Sequence, residues 1–200
     1  IGEGGAGLGE EREVADPVLG RVPRNAQPLY FVGAKSYASL FHDGRVELNA
    51  DDSIRTPDAV FGQGDPLAGT NLVHAQARFP VTSPEEMKGF SHDDKDNQGI
   101  REFLAQRLGG YGDGHADDPL PDSGYWLRQF RAGFNQPTAS ADELITEQNI
   151  SFAIGEYQRS QVFVTTPWQR YVQGDSQALS DSAKRGALLF LQDTKEGGVG

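Results

Sequence analysis

The chain has 200 residues, 36% of them hydrophobic, enough for one self-sufficient domain or two small ones. Eighteen Lys and Arg against 29 Asp and Glu leave a formal net charge of −11, which repels phosphate backbones and anionic lipid and steers basic proteins toward the surface. There is no Cys, so disulfides, thiolate nucleophiles and Cys-ligated zinc are excluded within these residues, and no apolar run reaches the roughly 18–20 residues of a membrane span.

Residues 1–28 are rich in Gly and acidic residues, and Pro17, Pro23 and Pro28 prevent a long helix, so they read as an extended lead-in. Gly2, Gly4 and Gly7 match the dinucleotide fingerprint only as a string, because the strand that must precede it is missing. The opening on Ile and the closing Gly-Gly-Val-Gly read as an interior piece of a longer chain, with no signal-peptide pattern. A short helix is expected over Lys35–Phe41, and residues 49–71, with many Gly, Pro and Asp and no sustained period, read as a surface loop.

Ser83-Pro84-Glu85-Glu86 has the form of a capping box with Pro at the first helical position. His92 to Asp96 fails as an EF-hand loop and reads as a solvated helix entry. Ile100, Phe103, Leu104 and Leu108 predict a helix ending at Gly109-Gly110, and residues 111–121 predict another loop. Trp126, Phe130 and Phe134 recur every four residues and read as core rather than as a cofactor box.

Ser140 to Glu143 forms a second capping box, and Thr146 caps a long helix ending near Ser160. The spacing of Ile150, Ala153, Ile154 and Tyr157 predicts that this stripe faces the core while Glu156, Gln158 and Arg159 stay wet. Pro167 suits the first turn of a further helix carrying Trp168 and Tyr171, and Gly174-Asp175 breaks the chain. Ser180 caps a last helix with Ala183, Ala187, Leu188 and Leu191 as its apolar face. The four His residues show no metal-binding helical spacing, and neither a G-x-S-x-G string nor a P-loop is present.

The string from Ala153 to Phe190, AIGEYQRSQVFVTTPWQRYVQGDSQALSDSAKRGALLF, resembles the segment before the second haem-attachment motif of bacterial di-haem cytochrome c peroxidases and the related MauG-type enzymes. Other strings resemble the same family, with residues 49–71 and 109–123 unmatched. The resemblance implies a mainly α, loop-rich, cytochrome c-like di-haem peroxidase fold with little or no sheet, divided into 1–134 around the peroxidatic haem and 135–200 leading into the second haem domain.

By the same resemblance, Ala75-Gln76-Ala77 and Pro80-Val81, followed by Glu86-Met87, place Gln76 and Glu86 on the distal side of the peroxidatic haem. A carboxylate there can move a proton between peroxide oxygens while an amide orients the peroxide; for Glu86 this stands beside the capping-box reading. Ile1-Gly2-Glu3-Gly4 resembles a string whose third residue is a ligating His; Glu3 stands there, which implies no endogenous sixth ligand and no reductive activation, or else an acidic residue in a Gly-rich terminus. Phe41-His42-Asp43-Gly44-Arg45 resembles F-W-D-G-R, with His42 in place of an inter-haem Trp, open to a propionate contact, a metal contact or a turn cap. Arg45 and Trp168 complete the implied cofactor-binding set with Glu3 and His42.

Arg24-Asn25 and the Thr165-Thr166-Pro167 turn resemble the family's Ca²⁺ site, with Asn25, Thr165 and Pro167 as ligands; without that paired match, Asn25 reads as a turn residue. The implied function is hydrogen peroxide reduction with electron transfer between two c-type haems, or MauG-like oxidation of a protein partner. A periplasmic location, an electron-donor cytochrome or cupredoxin and a homodimer are in keeping with it. Both chain ends fall where the family carries C-x-x-C-H, so this sequence reads as the inter-haem segment; the alternative is a haem-free helical binding or assembly module, with or without Ca²⁺.

Overall fold

A computed structural model describes residues 28–30, 32, 37–88, 92–117 and 119–199, without the side chain of Glu85. The chain divides into two units, 1–161 and 162–200. Both are mainly helical, as the sequence predicts.

The first unit opens on a small antiparallel sheet of three strands, β1 (Ser39–Leu40), β2 (Val46–Leu48) and β3 (Ile54–Arg55), in the order β1-β2-β3. Leu40 pairs with Val46, and both are buried. Glu47 pairs with Arg55, whose Nη2 lies 2.6 Å from Glu47 Oε2, an opposite-charge cross-strand pair. The described part of the expected 35–41 helix is not helical, and Ser39–Leu40 within it are strand. They pair across the 41–45 turn, where Phe41 (φ 65°) and Gly44 (φ 67°) take the left-handed conformation that reverses the chain.

Helix α1 (Leu72–Ala77) lies on this sheet, and Val73, Ala75 and Phe79 join Leu40, Val46, Ile54 and Ala68 in one apolar cluster. Each fully buried Val, Leu, Ile or Phe side chain there contributes about 1.5–3 kcal/mol. Asn71 starts the helix, its Oδ1 accepting from the Val73 and His74 amides at 3.1 Å each. The 49–71 segment is largely the exposed, turn-rich loop that its composition suggests, with an ordered inner part. It contains β3, buries Ile54, Thr56 and Ala68, and turns the Asp65 side chain inward to accept from Thr56 Oγ1 at 2.6 Å and from the Leu67 amide at 2.8 Å.

After α1, Pro84–Lys88 forms a π-helical turn instead of an α-helix, closed by the Lys88 amide on the Ser83 carbonyl at 3.1 Å. Helix α2 (Asn97–Gly109) starts under an Asp96 cap and stops at Gly110, whose φ of 73° ends it. The 111–121 loop contains a six-residue helix, α3 (Gly112–Asp117), held by Gln106 Oε1 accepting from the Gly114 amide at 2.9 Å.

Helices α4 (Ser123–Gly133) and α5 (Ala141–Leu144) form a second cluster around Phe130, Leu144 and Ile145. Phe130 and Phe134 stack within it at 5.7 Å, while Trp126 remains 39% exposed, so only part of that aromatic stripe is core. Helix α6 (Glu147–Ser160) starts at Thr146 as expected, with the Asn149 amide donating to Thr146 Oγ1 at 3.2 Å. Its buried face, however, is Ser151, Gly155 and Gln158, and the stripe expected inside is exposed at Ile154 and Tyr157. Helix α6 packs on α1, and the side chains it meets there, His74 and Gln76, are polar and are met by Gly155, Glu156 and Gln158.

In the second unit, α7 (Pro167–Val172) has Pro167 in its first turn under a Thr166 cap, and α8 (Asp181–Leu191) starts at the expected Ser180 cap. No residue of either helix is buried; Leu188, Phe190 and Leu191 are 65%, 69% and 67% exposed, so the predicted apolar face of α8 is present as an uncovered one.

Candidate functional site

Helices α1 and α6 meet through two polar contacts with the same sequence offset. His74 Nε2 lies 2.8 Å from Glu156 Oε1, and Gln158 Nε2 donates to Gln76 Oε1 at 3.0 Å. His74, Gln76 and Gln158 are all buried. Gly155 makes the approach possible: a Cβ there would run into the His74 imidazole and its backbone.

The His74 ring is committed on both sides. Thr70 Oγ1 lies 2.9 Å from Nδ1, and the Thr70 amide points at the same atom from 3.4 Å, which makes Nδ1 the acceptor and Nε2–H the donor to Glu156. Arg159 also binds Glu156 Oε1, at 2.6 Å. The Arg159 and His74 hydrogen bonds hold the Glu156 carboxyl below its ordinary range. Beside His74 opens a cavity of about 340 Å³ with Phe134 and Phe152 in its wall. The Phe152 ring centroid is 4.7 Å from that of His74 and 5.8 Å from that of Phe134.

One step beyond Gln76 lies a buried charge cluster. Arg78 reaches Asp65 Oδ2 at 2.8 Å, Glu147 Oε2 at 3.4 Å and Asp58 Oδ2 at 3.8 Å. Arg101 binds Asp58 Oδ2 at 2.6 Å and the Arg78 carbonyl at 2.9 Å, its guanidinium carbon standing 5.0 Å over the Phe79 ring. Its Nη2 is buried without a hydrogen-bond partner among the described residues. Burial pushes the Asp65 carboxyl up, but the Thr56 hydroxyl, the Leu67 amide and Arg78 outweigh it, and the group ends below its ordinary range.

Of the residues picked from sequence, Gln76 is buried on α1 and Glu86 is half-buried in the π-helical turn. His42 and Arg45 sit exposed in the β1–β2 turn; Arg45 donates from Nε to Asp43 Oδ1 at 3.0 Å, which holds Asp43 below its ordinary range, and lies 5.0 Å over the Phe41 ring. Thr165, Pro167 and Trp168 belong to the second unit, where Trp168 packs against Tyr171 at 6.0 Å. Glu3 and Asn25 lie outside the described residues. No group of three or more His, Asp or Glu able to hold a metal occurs among the described residues. His74, Glu156 and Gln158 were not singled out from sequence, because contacts across 82 residues leave no local signal; the one available hint was His74 standing two residues before Gln76.

A family model described as di-haem cytochrome c peroxidase matches residues 6–177. The chain therefore belongs to the di-haem cytochrome c peroxidase family. It is also similar to the methylamine utilization protein MauG of Methylophilus methylotrophus, 41% identical over 69 residues that make up 34% of this chain and 20% of that protein. No solved structure matches.

Proposed function

We propose that this chain is the inter-haem segment of a di-haem c-type peroxidase or MauG-like oxidase, working in the periplasm on hydrogen peroxide and a cytochrome, cupredoxin or oxidised protein partner. The observation that carries this reading, beside the family match, is the buried Gln76 carboxamide held by Gln158 on a helix ten residues before a half-buried carboxylate, Glu86. An amide fixed in this way can orient a peroxide, and a carboxylate can take its proton from one oxygen and return it to the other as two electrons and two protons yield two waters.

The residues present fit haem as a wall. Ile154 and Tyr157, one turn apart on α6, form an uncovered apolar strip, 41% and 59% exposed, of the kind a planar macrocycle covers. They do not fit as an attachment: the sequence has no Cys, so thioether links must come from outside these 200 residues. When bound, haem c supplies the electron transfer. The proposed contacts from this chain are Glu3, His42, Arg45 and Trp168, with 1–134 around the peroxidatic haem and 135–200 leading to the second. Asn25 with the oxygens of Thr165 and Pro167 is the proposed Ca²⁺ site, a set that a hard cation accepts; Asn25→Ala should abolish Ca²⁺ uptake in titration calorimetry.

In the haem-loaded protein, Gln76→Ala and Glu86→Gln should each lower peroxide turnover by about 10²-fold or more. Rates within twofold of the parent for Glu86→Gln would remove the proton-transfer role. The absence of Cys favours a second reading, a haem-free helical binding or assembly module. A colourless protein from its natural source, without a Soret band, would establish that reading instead.

A further inference from the structure

A pair of carboxamides has a polarity: one group spends its oxygen, the other its NH₂. Here Gln158 Nε2 donates to Gln76 Oε1, and the two side chains are only 6% and 8% exposed. The Gln76 oxygen is therefore taken, and its NH₂ finds no acceptor among the described residues. No other polar side chain of α1 has a donor to spare, since the His74 ring is shared between Thr70 and Glu156. Just past the helix, Arg78 is committed to Asp65, Glu147 and Asp58.

Gln158 is itself restrained. One turn earlier on α6, Gly155 is packed onto His74 and Glu156 is bonded to it, so the backbone that carries Gln158 is fixed against α1.

We infer that Gln158 is a positioning residue: by engaging the Gln76 oxygen it turns the Gln76 NH₂ outward, as a donor offered to an oxygen ligand. This rests on the reading of Gln76 as the amide that orients peroxide. The polarity matters because peroxide deprotonated by a carboxylate carries negative charge on oxygen, which an amide N–H stabilises and an amide carbonyl repels. The opposite orientation would place a carbonyl against that charge.

The test uses the haem-loaded protein with Gln158→Glu and Gln158→Met. Glutamate only accepts, so it draws the Gln76 NH₂ inward and turns its carbonyl out. Methionine is neutral and of similar volume; it frees the carboxamide to rotate, and it keeps the test readable if a buried carboxylate unfolds the chain. Peroxide kcat should fall by about 10²-fold for Gln158→Glu and about 10-fold for Gln158→Met, with KM changing little. Fluoride, an anion that accepts hydrogen bonds, should bind the ferric haem of Gln158→Met about 10-fold more weakly, read by absorption titration without turnover.

Parental kcat and fluoride affinity in Gln158→Met, with kcat still reduced in Gln76→Ala, would overturn the positioning role alone. Parental kinetics in Gln76→Ala would overturn the reading of Gln76 beneath it, and the inference with it. A Gln158→Glu protein that folds and turns over peroxide as the parent does would show that the polarity of the pair is immaterial, and so overturn the inference.

Discussion

Arg78 Nη1 lies 2.8 Å from Asp65 Oδ2, joining the end of α1 to a segment that its composition marks as loop, with both side chains at most 4% exposed. Breaking such a pair strands a charge in the interior. Asp65→Asn should therefore destabilise the chain by about 3 kcal/mol in urea unfolding, with Glu147 and Asp58 keeping the loss at the lower end for a buried pair. A loss below about 0.5 kcal/mol would show that these two partners suffice for Arg78.

The same carboxylate sets an acid limit. Its folded pKa is lowered, so its contribution is fully present above the unfolded value, near 3.9, and is lost as pH falls through the folded value. Stability of the parent should fall with acid below about pH 4, and Asp65→Asn should flatten that part of the curve. Parallel curves for the two proteins would assign the acid loss to other groups.

Gly155→Ala and Gly186→Ala should shift stability in opposite directions. Both sit inside helices, where Ala is favoured over Gly by about 1 kcal/mol. At Gly186 a Cβ meets nothing within 4 Å and the gain should appear. At Gly155 the Cβ collides with His74, and overpacking should turn the gain into a net loss of about 1–3 kcal/mol. Thermal unfolding of the two variants reads the sign directly.

Asn71→Ala should cost about 1–2 kcal/mol, since the Asn71 side chain accepts from two free amides at the start of α1. Asn71→Asp or Asn71→Ser, which retain the acceptor, should recover most of it. Equal losses in all three would trace the effect to the Asn71 NH₂, which lies 3.2 Å from His74 Nδ1, instead of the cap.

Ile154→Ser should change the stability of the haem-free chain by no more than about 0.5 kcal/mol, because Ile154 is 41% exposed. Ser151→Leu, which makes α6 more apolar, should cost about 1–3 kcal/mol by overpacking the buried face. The reverse order would restore the face expected from hydrophobic spacing.

That last contrast shows where sequence was and was not a guide. Helix ends were legible at Thr146, Pro167, Ser180 and Gly110, since capping is local chemistry within three or four residues. Gln76 and Glu86 were reached through a family resemblance. Which side of α6 faces inward was not legible, because periodicity assumes that the buried neighbour is apolar, and α1 meets α6 with His74 and Gln76. The order in residues 49–71 was hidden likewise: Asp58 and Asp65 find Arg101 and Arg78 at separations of 43 and 13 residues, and ion pairing has no repeat to detect.

The contacts His74–Glu156 and Gln76–Gln158 each join residues 82 positions apart, so they can close only after everything through α6 has left the ribosome. Until then α1 carries an imidazole and a carboxamide with no counterpart. Its neighbours in the sheet are local and can settle early, whereas this junction must come late, by long-range loop closure. A nascent chain arrested before Glu156 should accordingly leave α1, and the sheet packed on it, more open to digestion than one released after Ser160.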